Sequence, residues 1–123
     1  MITDKNKEFL AKFGHSNVRD TLSNDTDPYV RSAVAENPIA PIEILNRLSK
    51  DKMPVVRIGV AKNPTLTSDH LEELSYDQDP SVRTYVVRNP NTPKSVLDRY
   101  VSDKSVDVRT SVAGHSKHKE HLD

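Results

Sequence analysis

The chain has 123 residues, enough for one domain, and only 34% of them are hydrophobic and 5% aromatic. Eighteen Lys and Arg balance eighteen Asp and Glu, which removes the general attraction behind most binding to nucleic acids and anionic membranes. The absence of Cys excludes disulfides, iron–sulfur clusters, thiolate zinc sites and cysteine nucleophiles.

The amino-terminal sequence MITDKNKEFL has no apolar segment of signal-peptide length. No run of about 18 apolar residues, the length needed to span a bilayer, occurs anywhere in the chain. Together with the lack of Cys, these features predict an intracellular, cytoplasmic protein without a membrane partner.

Nine short helices are predicted, because apolar residues three and four apart form one face in each block. In chain order they cover residues 4–12, 16–23, 28–36, 41–49, 54–62, 67–75, 80–88, 93–101 and 106–114. Strands are excluded because no block alternates and prolines recur every few residues.

Several dipeptides mark the predicted helix ends. Asp27-Pro28, Asp79-Pro80 and Thr92-Pro93 predict an N-cap followed by proline in the first turn. Asn37-Pro38 and its equivalents predict the end of a helix, since the residue before proline is forced out of the helical conformation.

A pattern of Asp, a short gap and Val-Arg recurs four times at an interval of 26 residues. The members are Asp25, Asp51, Asp77 and Asp103 with Arg31, Arg57, Arg83 and Arg109. A fixed period of this length indicates one two-helix unit stacked on copies of itself. Four repeats are predicted at about 15–38, 41–64, 67–90 and 93–115, after a capping helix in 1–14 and before a polar tail in 116–123.

The string VRSAVAENPIAPIEILNRL resembles the leucine-rich repeat variant, a relative of the HEAT repeat, and the similarity covers about residues 15–115. The resemblance implies an all-α fold, a short right-handed α-solenoid of about four repeats used for binding rather than catalysis. The founding type of that family holds an iron–sulfur cluster on cysteines. Because this chain has no Cys, no cofactor is expected.

The arginine column has two interpretations. The four arginines could pair with turn aspartates of their own or the adjacent repeat and form a structural ladder, or they could line up to bind phosphates. The ladder is favoured because Asp and Arg occur together in all four copies, and charges near a core are paired.

By the resemblance, the second helix of each repeat lines the concave side of the stack. Outward positions that vary between repeats are the predicted partner-binding residues: Tyr29, Val55, Ile58, Lys62, Tyr85 and Arg88. The alternative is that Val55 and Ile58 only contact neighbouring helices.

The main functional hypothesis is a non-enzymatic scaffold that binds a protein or peptide along this face. Nucleic-acid binding through Lys62, Arg88 and any unpaired member of the arginine column is one alternative, and a structural spacer or self-associating unit is another. No glycine-rich phosphate loop and no nucleophile with a plausible base is present, so no enzyme is predicted. His115, His118 and His121 are three residues apart and do not have the i, i+4 spacing of zinc helices, so no metal is expected.

Overall fold

The computed structural model describes residues 3–7 and 16–115, with the backbone alone for residues 16–18. Every regular element in these ranges is an α-helix, which confirms the predicted all-α class. The helices are α1 (residues 4–7), α2 (Ser16–Leu22), α3 (Pro28–Glu36), α4 (Ile42–Leu48), α5 (Pro54–Ala61), α6 (Ser68–Leu74), α7 (Pro80–Arg88), α8 (Lys94–Tyr100) and α9 (Val106–Ala113).

The predicted bounds of helices α2 to α9 agree with the structure to within one residue at each end. The agreement follows from prolines and Asn-Pro corners that fix most of these ends in the sequence. The rest of the predicted capping helix and the tail lie outside the described residues. None of the described helices is long and apolar enough to cross a bilayer.

The chain forms two compact units, Met1–Asn63 and Pro64–Asp123. In the first unit α3 packs chiefly against α5, and in the second unit α7 packs chiefly against α9. These four helices each contain the Val-Arg pair of the repeat, and we call them the Val-Arg helices.

The buried face of each Val-Arg helix consists of two valines four residues apart. In the first unit these are Val30 and Val34 of α3 with Val56 and Val60 of α5, and all four are buried. Val82, Val86, Val108 and Val112 repeat the arrangement in the second unit. Burial of such side chains is worth about 1.5 to 3 kcal/mol each, and it stabilises helices too short to persist alone in water.

Two of the three predicted N-caps are confirmed. Asp27 accepts a hydrogen bond from the backbone N–H of Tyr29 at 2.9 Å, and Asp79 accepts one from Ser81 at 2.8 Å. The third prediction is wrong, because Thr92 does not cap α8. Its buried hydroxyl donates instead to the carbonyl oxygen of Val86, the last turn of the preceding helix, so it ties the corner to α7.

The Asn-Pro corners hold the repeats together as well as ending helices. Asn37 ends α3 in an extended conformation, as predicted. The buried amide of Asn63 donates to the carbonyl oxygens of Ala35 and Asn37 at 2.8 and 2.9 Å. The amide therefore satisfies carbonyl groups that the end of α3 leaves without a helical partner.

Candidate functional site

Each turn aspartate closes its own turn. A carboxylate oxygen accepts the backbone N–H two residues later at 2.8 to 2.9 Å in all four copies. Six residues after each aspartate, Nη1 of the arginine donates to the carbonyl oxygen of that aspartate at 2.5 to 2.9 Å. The pairs are Asp25 with Arg31, Asp51 with Arg57, Asp77 with Arg83 and Asp103 with Arg109. Local turn geometry therefore needs both residue types in each repeat.

The guanidinium also reaches the next repeat within each unit. Nε and Nη2 of Arg31 donate to the two carboxylate oxygens of Asp51 at 2.8 and 3.0 Å. Arg83 holds Asp103 in the same way at 2.9 and 3.0 Å. These bidentate pairs are mostly buried, with side-chain exposures of 10 to 13%. Both arginines are therefore occupied by the protein itself and are not offered to a phosphate.

Asp25, the first of the four turn aspartates, is held by a lysine instead of an arginine. Nζ of Lys7, in α1, lies 3.0 Å from the Asp25 carboxylate. At the other end, Arg109 is exposed, and among the described residues its guanidinium has only the carbonyl oxygen of Asp103 as a hydrogen-bond acceptor.

The clamped carboxylates have perturbed acidities. Burial opposes the ionisation of Asp51, but hydrogen bonds from Arg31 and from the Met53 N–H outweigh it and lower the pKa. At Asp103, burial is likewise outweighed by Arg83 and the Ser105 N–H, and the pKa is lowered.

We expect these carboxylates to make the fold sensitive to acid. A pKa that is lower in the folded chain gives stabilisation that is fully present above the unfolded value of about 3.9 and lost as the pH falls through the folded value. Urea denaturation at pH 7 and in steps below pH 4 should show this loss, and it should be smaller for Asp51→Asn. Arg31→Ala removes the hydrogen-bond donor to Asp51 and should make the free energy of unfolding depend less on pH over the same range. An acid dependence unchanged in both variants would contradict the assignment.

A second arginine column was missed in the sequence. Arg47 donates to Ser23 Oγ at 2.7 Å and to Asn24 Oδ1 at 3.0 Å, and Arg99, 52 residues later, donates to Ser75 Oγ at 2.5 Å. Neither Arg47 nor Arg99 was selected in the sequence analysis. The signal that could have revealed them is the shared spacing of the Arg and Ser pairs.

The six predicted partner-binding residues divide between the units. Tyr29, Val55, Ile58 and Lys62 lie in the first unit, where Tyr29 is 63% exposed while Val55 and Ile58 are half-buried. Lys62 Nζ lies 2.7 Å from a carboxylate oxygen of Glu36, so its charge is already balanced. Tyr85 and Arg88 lie in the second unit.

Tyr85 and Arg88 line a groove between α7 and α9. One part of it, about 340 Å³, is lined by Pro80, Ser81, Thr84, Tyr85, Arg88, Asp107, Thr110 and Ser111. A second part, about 520 Å³, shares Arg88, Thr110 and Ser111 and continues to Val87, Pro90, Gly114 and His115. We call the two parts together the α7–α9 groove. Ligand sites in proteins have volumes of roughly 300 to 1,000 Å³.

The side chains that line the α7–α9 groove are mostly hydroxyl groups, with one exposed cation, Arg88, and one carboxylate, Asp107. The Arg88 guanidinium lies 4.9 Å from the centre of the Tyr85 ring, which supports it by a cation–π contact while the side chain stays exposed. Arg88 can therefore donate to an incoming carboxylate without breaking a buried ion pair.

Residue size explains why the second unit can hold this groove. In the first unit, α5 approaches α3 so closely that a Cβ on Gly59 would lie 2.8 Å from the carbonyl oxygen of Ser32. The equivalent of Gly59 in α9 is Ser111, and its side chain lines the α7–α9 groove. Tyr85 takes the place that Ala33 has in α3.

Within the described part of the chain, no group of three or more His, Asp and Glu side chains could hold a metal ion. His118 and His121 lie outside the described residues. Comparison of the chain with family models, with curated proteins and with solved structures returned no match. The resemblance to the leucine-rich repeat variant therefore rests on the repeated residues alone.

Proposed function

We propose that the protein is a non-enzymatic interaction module that binds a peptide segment of a partner protein in the α7–α9 groove, with Arg88 receiving a carboxylate. The observation that supports this most directly is an exposed guanidinium, held on the Tyr85 ring, that lines both cavities of the groove. An extended peptide has backbone N–H and C=O groups along its whole length. The hydroxyls of Ser81, Thr84 and Thr110 can donate to the C=O groups and accept from the N–H groups.

The proposed architecture is the right-handed α-solenoid of four two-helix repeats that the resemblance implies. Its support is the recurrence of one linkage, the Arg clamp on the next aspartate, at Arg31–Asp51 and again at Arg83–Asp103. A stack of this kind presents its Val-Arg helices side by side, and the α7–α9 groove is one interval between them. The cytoplasmic location stays a prediction.

The absence of catalysis is also part of the proposal. The polar residues that most resemble catalytic groups are Asp107, Ser111 and His115. In a Ser-His-Asp triad the imidazole lies between the other two groups, because it exchanges a proton with one and is oriented by the other. Here Asp107 and Ser111 lie about one turn apart on α9 and His115 follows the end of that helix, so the hydroxyl and not the imidazole lies in the middle along the helix axis, which favours a binding surface over a relay.

No specific observation favours nucleic-acid binding. Lys62 pairs with Glu36, and Arg31 and Arg83 each hold a carboxylate. Arg88 and Arg109 are too few to supply the several phosphate contacts that such binding requires.

A displayed library of random peptides, selected on the full chain, tests the proposed function. Selected peptides should share an acidic side chain or a free terminal carboxylate. Their Kd, measured by fluorescence anisotropy, should rise at least about tenfold on Arg88→Ala, because a hydrogen bond to a charged group is worth about 1.5 to 3 kcal/mol.

The matched control is Arg99→Ala. Arg99 also stacks on a tyrosine in the second unit, 4.1 Å from the centre of the Tyr76 ring, but it does not line the α7–α9 groove. Equal losses in the two variants, or selected peptides that bind both as tightly as the parent chain, would refute the site. Tight, salt-sensitive binding of a single-stranded oligonucleotide would favour the nucleic-acid alternative.

A further inference from the structure

One face of α9 has no covering element among the described residues. Val106, Arg109 and Ala113 lie three and four positions apart, on one side of the helix, and all three are exposed. Val101, at the end of α8, is 47% exposed and Val106 is 61% exposed. We call Val101, Val106, Arg109 and Ala113 the end face.

The positions of Arg109 and Ala113 are covered by the next repeat on α3 and α7, whereas the position of Val106 is taken by Pro28, which is half-buried, and by Pro80, which is exposed. On α3, Ala35 is fully buried and would meet a Cβ on Gly59 of α5 at 3.1 Å. On α7, the equivalent Val87 is 1% exposed. The arginines of these faces, Arg31 and Arg83, each hold an aspartate from the turn before the covering helix.

From these equivalences we infer that the end face binds a helical segment of a different protein, one that brings a carboxylate to Arg109 and small or apolar side chains to Val106 and Ala113. In the described part of the chain, no carboxylate is paired with the Arg109 guanidinium. A partner carboxylate would complete the fork–fork geometry seen twice within the molecule. This inference does not rest on the α7–α9 groove.

The amino-terminal repeat of a second copy does not have this chemistry. Its turn carboxylate, Asp25, is already held by Lys7 at 3.0 Å. Ala33, the residue in the place of Gly59, is itself buried, so α3 has no free small-residue face to offer. Head-to-tail addition would have to break the Lys7–Asp25 pair and displace what covers Ala33.

Val101 adds one further requirement on the partner. The buried serines at this position in earlier repeats, Ser23 and Ser75, accept hydrogen bonds from Arg47 and Arg99 of the next repeat. Valine cannot accept such a bond, and an arginine brought against it would bury donors without acceptors. The partner should therefore place an apolar side chain opposite Val101.

A surrogate partner tests the end face. The full chain is extended through a flexible Gly-Ser linker by a copy of residues 38–63, which carry the turn aspartate, and the copy has Arg47→Leu. We expect the thermal unfolding midpoint to rise by about 4 °C or more. The rise should be lost on Arg109→Ala in the parent chain or on Asp51→Asn in the copy, and reduced when the copy keeps Arg47.

No rise, or a rise that persists in Arg109→Ala, would overturn the inference. The unfused chain is examined as well. A dimer in sedimentation velocity that Arg109→Ala abolishes would make a second copy the occupant and overturn it. So would a stabilising effect of Arg109 that disappears when the chain is ended after His115, because the tail would then cover the face.

Discussion

Replacing Arg31 by Ala is expected to lower the free energy of unfolding by about 2 to 3 kcal/mol, the cost of leaving a mostly buried charge without its partner. The guanidinium contacts both oxygens of Asp51 and the carbonyl oxygens of Asp25 and Thr26. Its loss removes four hydrogen bonds and leaves Asp51 with little water to replace them.

The matched control is Arg109→Ala, which changes the same column of the repeat. Arg109 is exposed and holds no carboxylate among the described residues, so its loss should change the free energy of unfolding by no more than about 0.5 kcal/mol. Urea denaturation followed by circular dichroism measures both variants. Similar values for the two would show that the clamp contributes nothing to stability.

Arg31→Lys separates charge from geometry. Lysine keeps the positive charge but cannot donate to both oxygens of Asp51 in a planar fork while also reaching the turn carbonyls. We therefore expect Arg31→Lys to have a free energy of unfolding between those of the parent chain and of Arg31→Ala. Full stability in Arg31→Lys would mean that charge alone matters.

The bounds of the helices could be predicted closely because residues at each end determine where the helix begins and stops. Pro28, Pro54 and Pro80 can only stand in a first turn, and an Asn-Pro pair cannot continue a helix. Local rules also explain the one wrong cap. A threonine before proline looks like an N-cap, but Thr92 finds a buried carbonyl acceptor at Val86 that the sequence alone does not place nearby.

Contacts between repeats were harder to predict. The ladder hypothesis paired Asp with Arg but could not divide the interactions into a carbonyl contact within the repeat and a carboxylate contact to the next one. The contact of Lys7 with Asp25 was not expected. The sequence of α1 does not follow the repeat, so no equivalent residue in another repeat points to Lys7. Arg47 was missed because its acceptor, Ser23, lies 24 residues away.

The candidate site was predicted only in part. Tyr85 and Arg88 were selected as outward-facing and variable, and both line the α7–α9 groove. Ser81, Thr84 and Thr110 also line the groove but were not among the predicted partner-binding residues. Which interval between Val-Arg helices contains a groove depends on helix separation. That separation is set by residues facing each other across it, such as Ser111, and it is not visible from one helix at a time.

Gly59→Ala is expected to lower the free energy of unfolding by about 2 kcal/mol, although alanine is the better helix former by about 1 kcal/mol. The new Cβ would lie 2.8 Å from both the backbone carbonyl oxygen and Oγ of Ser32, and 3.1 Å from Cβ of Ala35. The hydroxyl can rotate away, but the carbonyl oxygen is fixed in α3. The two helices must separate, and the contact that buries Ala35 weakens.

The control is Gly114→Ala, which makes the same substitution at the C-cap of α9. A Cβ there would lie 3.7 Å from the nearest atom, the carbonyl oxygen of Ser111, which is an ordinary contact distance. Gly114 has a right-handed helical conformation that alanine adopts without strain. The free energy of unfolding of Gly114→Ala should therefore equal that of the parent chain or be slightly higher. Urea denaturation of both variants decides the matter, since propensity alone predicts that Gly59→Ala is the more stable protein and close packing of α3 on α5 predicts the reverse.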